Sequence, residues 1–397
     1  MARTQQKFRL GIGIGERISI ANICRSFDAG AIKEALAATG KNSLRKRDLP
    51  AEVVIYYVIA MALFMHVNLR EVLFCLIDGL RLIRGADVKV TGKSGISQAR
   101  SRIGSEPLRY LYENHVKPLA KAQTKGAWYH GRRLISLDGS SLDLPAEKEI
   151  RRAFGGPSTY VDRCPFPQIR FVFLAEIGTH VLFAARMGEY RSSEMVLARD
   201  VIPALEPGML CLADRGFAGF PLWKQASSTG ADLLWRTRND RTVAVETILP
   251  DGSYLGRLRL RRAKAGQEES ILVRMIEYRI EGVEWSKNEH YRLMTTLLDP
   301  DEFPAEELAQ LYQQRWEIET AFDELKTHLR GARMCLRSKT PELVRQEFYG
   351  LMLAHFVVRG LMHEAALKAD VDPDELSFTH SLRVLRRTLL IGPALTP

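Results

Sequence analysis

The spacing of apolar and polar residues changes three times along the chain, and each change marks a boundary. Up to about residue 130 the apolar positions recur at helical spacing. Asp28 to Ala38 predicts a short helix stopped near Gly40, and Leu49 to Phe64 and Leu69 to Arg81 predict two longer ones. In Ser94 to Val116, Ser94 or Ser97 caps one helix, Gly104 breaks it and Ser105-Glu106-Pro107 opens another. From Arg132 the period shortens. Arg133 to Pro145 alternates as a strand, and Gly155-Gly156-Pro157 marks a loop. Gln168 to Gly178 and His180 to Tyr190 form a hairpin about Gly178-Thr179, and Ser192 or Ser193 then caps a helix through Leu205. A strand at Met209 to Ala213, a helix at Leu222 to Ser227 and a strand at Ala231 to Arg238 complete a mixed α/β sheet. Between Asn239 and Asn288 helical signals vanish and strand signals dominate, which reads as an all-β insertion. Tyr291 to Asp299 returns to the main sheet. Leu311 to Leu329 then predicts a helix of about five turns, and Arg337 to Gly360 a further, largely buried one.

Charge sharpens this division. The net charge over 397 residues is +10. Residues 1–130 hold 21 Lys and Arg against 10 Asp and Glu, a net of +11, and the remainder holds 36 against 37. The whole positive excess therefore lies in the helical third, as expected for an electrostatic footprint on nucleic acid, with a basic folding domain of no nucleic-acid role as the plainer alternative. Arg100, Arg102 and Arg109 around the Gly104 break permit a helix-turn-helix reading, a weak signal shared with many helical domains. Arg257 to Arg261 puts three guanidiniums on one strand face, suited either to a DNA backbone or to a charge-protected sheet edge. Five scattered cysteines without C-x-x-C spacing point to a reduced, intracellular protein without a zinc site. No secretory signal is read in the first residues. The longest apolar run, Val53 to Met65, is short of the roughly 20 residues a bilayer span needs and reads as a buried helix.

The chemistry concentrates in the Leu311–Leu329 helix. At about 100° per residue, Tyr312, Arg315, Glu319 and Lys326 fall within an arc of about 60°, beside an apolar stripe of Leu311, Ile318, Phe322, Leu325 and Leu329. A carboxylate flanked by a phenol, a guanidinium and an ammonium suits a site that holds a metal and a phosphate. A solvated charged face is the plainer alternative. The spacing Y-x2-R-x3-E-x6-K resembles the motif of DDE transposases from bacterial insertion sequences of the insertion-sequence-four family.

That resemblance makes Glu319 the third acid of a triad and calls for two aspartates upstream. Asp138 follows the apolar run Leu134 to Leu137, although an Asx turn with Gly139 would also explain it. Asp143, five residues on and so on the other strand face, is its rival; Asp138 shares its face with Ser136 and Ser140 and is favoured. Asp214 ends a short buried strand, where open sheets place ligands, although a turn-capping role is common for such a residue. The run Asp214 to Phe217, D-R-G-F, resembles the family's second-aspartate motif.

The resemblance covers most of the chain and implies an RNase H-like core. Residues 1–130 would be a basic helical DNA-binding domain, 131–238 and 291–397 the two parts of the core, and 239–290 the insertion. Asp138, Asp214 and Glu319 would bind two Mg²⁺ ions, with Mn²⁺ as a substitute. By motif, Tyr312, Arg315 and Lys326 would contact phosphates near the element's terminus. Arg215 and Arg236 are further phosphate candidates, and Trp285 is the nearest candidate for the aromatic residue that the family stacks on a flipped base. The implied function is cut-and-paste transposition through a hairpin, by a homodimer on paired double-stranded DNA ends, in the bacterial cytoplasm with the nucleoid. An RNase H-like nuclease without strand transfer and a catalytically silent DNA-binding protein are the rival readings.

Overall fold

The computed structural model describes residues 20–43, 49–84, 92–157, 166–239, 243–259, 269–279, 290–331 and 335–387. Six helices come first: α1 (Ile20–Ser26), α2 (Ala29–Ala38), α3 (Ala51–Leu63), α4 (Leu69–Arg84), α5 (Lys93–Ile103) and α6 (Glu106–His115). Their ends follow local chemistry. The Asp28 carboxylate caps α2 through the Ala31 amide at 2.8 Å. Gly104, at φ +72°, supplies the left-handed bend between α5 and α6 that a side chain would resist. Every residue of α3 except Glu52 is buried.

What buries α3 is α12 (Pro341–Ala369), from the far end of the chain. Gly350 lies against Val58 so closely that a Cβ there would stand 2.6 Å from Val58 Cγ1. Arg337 donates to the carbonyls of Met61 and Val67, and the Ser105 amide donates to Glu342. The N-terminal helices thus share one continuous apolar core with the rest of the chain. Of the three guanidiniums in the helix-turn-helix reading, Arg100 is buried inside this assembly, and Arg102 and Arg109 are exposed. Arg100 donates to Gln346 and Ser338, Arg102 donates to Leu49 O, and Arg109 pairs with Glu106.

The sheet contains β1 (Trp128–Tyr129), β2 (Arg132–Asp143), β3 (Gln168–Glu176), β4 (Val181–Glu189), β5 (Met209–Ala213), β6 (Asp232–Arg236), β7 (Val245–Ile248), β8 (Tyr254–Arg259), β9 (Ser270–Tyr278) and β10 (Tyr291–Thr295). Its order is β4-β3-β2-β5-β6-β10-β9-β8-β7, with β1 paired to β2. The antiparallel meander β2–β3–β4, followed by β5 and β6 parallel to β2, is the RNase H-like arrangement. Helices α8 (Glu194–Val201) and α9 (Phe220–Ser227) make the crossovers, and α7 (Lys148–Phe154) ends at the Gly155-Gly156-Pro157 loop. The β-rich stretch after β6 joins this sheet, because β9 pairs with β10 and carries β8 and β7 outward. Trp285 lies outside the described residues.

The helix expected over Leu311–Leu329 is longer and less regular than its composition predicts. It opens as α10 (Ala305–Gln313) behind Pro304, tightens to a 3₁₀ turn at Gln314–Trp316, and continues as α11 (Glu317–Asp323). Glu324–Leu329 is π-helical, with Arg330 N bonded to Leu325 O at 3.1 Å, and Gly331 at φ +103° ends it. The wider turn keeps Leu325 and Leu329 in the core while Glu324 is buried and Lys326 reaches the sheet. The last described helix is α13 (Phe378–Arg387), which packs on α12.

Candidate active site

Residues Leu137 and Ala213 are register partners on the parallel strands β2 and β5. Asp138 and Asp214 each follow one of this pair, so backbone pairing alone sets the two aspartates side by side. Asp138 lies within β2, which runs on to Asp143, so the Asx-turn alternative does not hold. One Asp138 oxygen, Oδ1, accepts from the Gly139 amide at 2.7 Å, and Oδ2 pairs with Arg315 Nη1 at 3.1 Å. Burial pushes its carboxyl up to about 6. The Gly139 amide and Arg315 pull it down, and the Asp214 and Glu194 carboxylates raise it. Asp214 is half-buried, and its Oδ1 accepts from Gly216 N at 2.6 Å, so it also closes the turn after β5.

The helical ridge crosses these strand ends. Tyr312 is buried and donates to Ala213 O at 3.1 Å, and burial raises its phenol well above the ordinary range. Arg315 reaches Asp138, and Lys326 donates to Ser140, two residues further along the same face of β2. Burial and the nearby Arg330 guanidinium hold the Lys326 ammonium below its usual range. Phe322 sets the approach by packing edge-on against Phe171 and Phe173 of β3. Glu319 is exposed, one helical turn beyond Arg315, and no hydrogen bond or ion pair engages it among the described residues. The three carboxylates do not all close to within 4.8 Å of one another. The described set that does so is His180, Glu317 and Asp374.

The other sequence candidates separate. Asp143 accepts from Gln168 Nε2 at 2.7 Å rather than turning to Arg315. Arg215 is exposed in the turn after Asp214. Arg236 ends β6 with its guanidinium 4.5 Å from the Tyr291 ring centroid. Two residues were not singled out by spacing. Trp316 is 54% exposed beside Arg315, whose guanidinium lies 5.2 Å from its ring. Glu194, in the first turn of α8, lies over Gly139 where a side chain would otherwise stand. Sequence signals for Glu194 are lacking, because only the β2–α8 packing brings it there.

A DDE domain uses divalent metal ions, and the donors here suit one. Asp138 and Asp214 offer hard oxygen ligands, and a divalent cation would offset the burial and, secondarily, the like charge that raise Asp138.

Comparison with known proteins gives the family. Residues 17–113 match the family described as insertion element 4 transposase N-terminal, and residues 129–357 match the transposase DDE domain. Transposase InsG of insertion sequence element IS4 from Escherichia coli K12 is 30% identical over 378 residues, covering 93% of this chain and 83% of InsG. Putative transposase InsZ from the same strain is 28% identical over 219 residues, covering 55% of this chain and 71% of InsZ. The transposase of insertion sequence element IS421 from Escherichia coli is 41% identical over 68 residues, 17% of each chain. Among solved structures, piggyBac transposase in its synaptic complex with hairpin DNA superposes at TM-score 0.45 with 11% identity, covering 93% of this chain and 79% of that one. That likeness is too loose to carry an argument. Among the described residues no helix is long and apolar enough to cross a membrane. With its sheet order, the motif-bearing ridge across two paired aspartates and these matches, the chain belongs to the DDE transposases of the IS4 insertion-sequence family.

Proposed function

We propose that Asp138, Asp214 and Glu319 are the catalytic acids of this transposase and the ligands of two Mg²⁺ ions, replaceable by Mn²⁺. The observation that carries the reading is the grip of one ridge on both aspartate strands. Tyr312 holds Ala213, Arg315 holds Asp138 and Lys326 holds Ser140, and Glu319 lies between the last two contacts in sequence. When bound, the ions supply Lewis acidity to the phosphodiester oxygens and ease deprotonation of the attacking water. The chain's own contribution is placement and charge. The Tyr312 phenol fixes the carbonyl just before Asp214. Arg315 and Lys326 bring cationic groups to the edge of the acidic pair, where the backbone phosphates of an element's terminus would lie. Arg215 and Arg236, near the same edge, extend the phosphate-binding surface.

The substrate is double-stranded DNA at the element's terminal inverted repeats, recognised through the basic helical residues 1–130, and then target DNA. Residues 131–238 and 291–397 form the catalytic core interrupted by 239–290. Hydrolysis at the element's end frees a 3′-hydroxyl. That hydroxyl attacks the opposite strand to form a hairpin, and after hairpin opening it attacks the target. Two copies act on paired ends, in the cytoplasm at the nucleoid. A labelled terminal-repeat duplex incubated with the protein and Mg²⁺ should give nicked, hairpin and joined products. Glu319→Gln should abolish all three and leave gel-shift binding of the duplex intact. Cleavage that survives this substitution would overturn the assignment.

A further inference from the structure

The catalytic ridge has a second polar edge that the transposition reading does not use. His180 closes the β3–β4 hairpin in the left-handed conformation, φ 53°, and its side chain is 3% exposed. Nδ1 lies 3.4 Å from Glu324 Oε1 on the π-helical turn. Nε2 lies 3.1 Å from Asp374 Oδ1 and 3.6 Å from Glu317 Oε2, yet it has no hydrogen-bond partner in acceptable geometry. The ligand atoms of His180, Glu317 and Asp374 all fall within 4.8 Å of one another. A tetrahedral ion with bonds of about 2.1 Å sets its ligands about 3.4 Å apart, which falls between the 3.1 and 3.6 Å that separate Nε2 from Asp374 and Glu317.

Charge and support point the same way. Glu317, Glu324 and Asp374 bring three carboxylates, against which the cluster sets one guanidinium, Arg359, 3.1 Å from Glu324 and 3.4 Å from Asp374. With neutral imidazoles, two negative charges remain, the complement of a divalent cation. Burial lowers the His355 imidazole, which lies 3.2 Å from Glu324, toward its neutral form. Glu324 behind Nδ1 is the carboxylate partner that orients a metal-binding histidine. A cavity of about 320 Å³ lined by Thr320, Asp323 and His328 opens onto the cluster, and Asp374 and Glu317 are 30% and 41% exposed toward solvent.

We propose that His180, Glu317 and Asp374 form a second metal site, for a borderline transition cation of the Zn²⁺ class, with Glu324 orienting the imidazole. One imidazole and two carboxylates favour such an ion over Mg²⁺, which suits the all-oxygen set at Asp138 and Asp214. The bound ion ties the β3–β4 hairpin, α11 and the turn at Pro373–Glu375 together. Glu317 stands between Arg315 and Glu319 in sequence, so the tie fixes the helix that presents them. This site does not depend on the catalytic assignment, and the test separates the two.

Full-length protein carrying Asp138→Asn, Asp214→Asn and Glu319→Gln removes the proposed catalytic ligands and isolates the second site. Titrated with Co²⁺ as a spectroscopic probe, it should take up one equivalent with the intense visible bands of a four-coordinate ion, and Zn²⁺ should displace it. Adding His180→Gln should abolish the bands. Adding Asp374→Asn, at a part-exposed position where folding is easily retained, should weaken binding by at least about tenfold. Far-UV circular dichroism verifies the fold of each variant. No Co²⁺ uptake by the triple variant, or uptake unchanged by both substitutions, would overturn the proposal.

Discussion

Asp138→Asn tests the electrostatics of the acidic pair without reference to turnover. The Asp138 carboxyl titrates from 3.8 in an open chain to about 6 in the fold, chiefly because it is buried. The folded state therefore binds the proton more tightly than the unfolded state between these values. Stability from this group is fully present below pH 3.8 and is lost as pH rises through about 6. At 1.36 kcal/mol per pH unit, the complete loss is about 3 kcal/mol, of which about 1.4 kcal/mol falls between pH 5 and pH 8. Asparagine keeps the shape of the protonated acid and can accept from the Gly139 amide, but it never ionises. Urea unfolding of the two proteins in EDTA should show the variant gaining on wild type by about 1.4 kcal/mol on going from pH 5 to pH 8. Added Mn²⁺ should then stabilise wild type more than the variant. A stability difference independent of pH, or one that shrinks toward pH 8, would refute the reasoning.

Arg315→Gln removes the cation 3.1 Å from Asp138, so the pH at which end cleavage switches on should rise by roughly 1–3 units. An unmoved acid limb would show that Asp138 ionisation does not control the rate. Tyr312→Phe deletes the bond to Ala213 O and should cost about 0.5–1.5 kcal/mol in urea unfolding. Its cleavage rate should fall further than Ser140→Ala, which leaves the Asp214 strand untouched. In α12, Gly350→Ala drives a methyl to 2.6 Å from Val58 Cγ1 and 3.1 Å from the Val58 carbonyl, for a loss of about 1–3 kcal/mol. By contrast Gly360→Ala meets only Leu119 Cδ1 at 3.8 Å, and should gain about 0.5–1 kcal/mol from helix propensity.

Where neighbours in the chain decide the outcome, the sequence reading and the structure coincide. The break at Gly104, the hairpin at Gly178-Thr179 and the buried α3 all arise from conformational limits or periodicities within a few residues. The spacing of Tyr312, Arg315 and Lys326 likewise survives, because each meets the sheet despite the 3₁₀ and π turns between them. Those turns were not legible. A run of good helix formers carries no mark of the π turn at Glu324, where burial of a charge and contact with β2 coincide. Arg100 shows the same limit in reverse. In the sequence it is one cation of a basic patch, and in the fold it is a buried tie to Gln346 and Ser338.

The linear order of residues thus determined the kinds of element, the basic and near-neutral regions, and the spacing of Tyr312, Arg315, Glu319 and Lys326 along one helix. Tertiary structure alone decided which partners meet. It wrapped α12 into the N-terminal helices, drew β7–β9 into the main sheet, and laid Glu194 over Gly139. It also gathered His180, Glu317, Glu324 and Asp374 from three distant segments. The reason is physical: torsional preference and periodicity act over a few residues, whereas burial, ion pairing and ligand geometry depend on distances that only the packed chain creates.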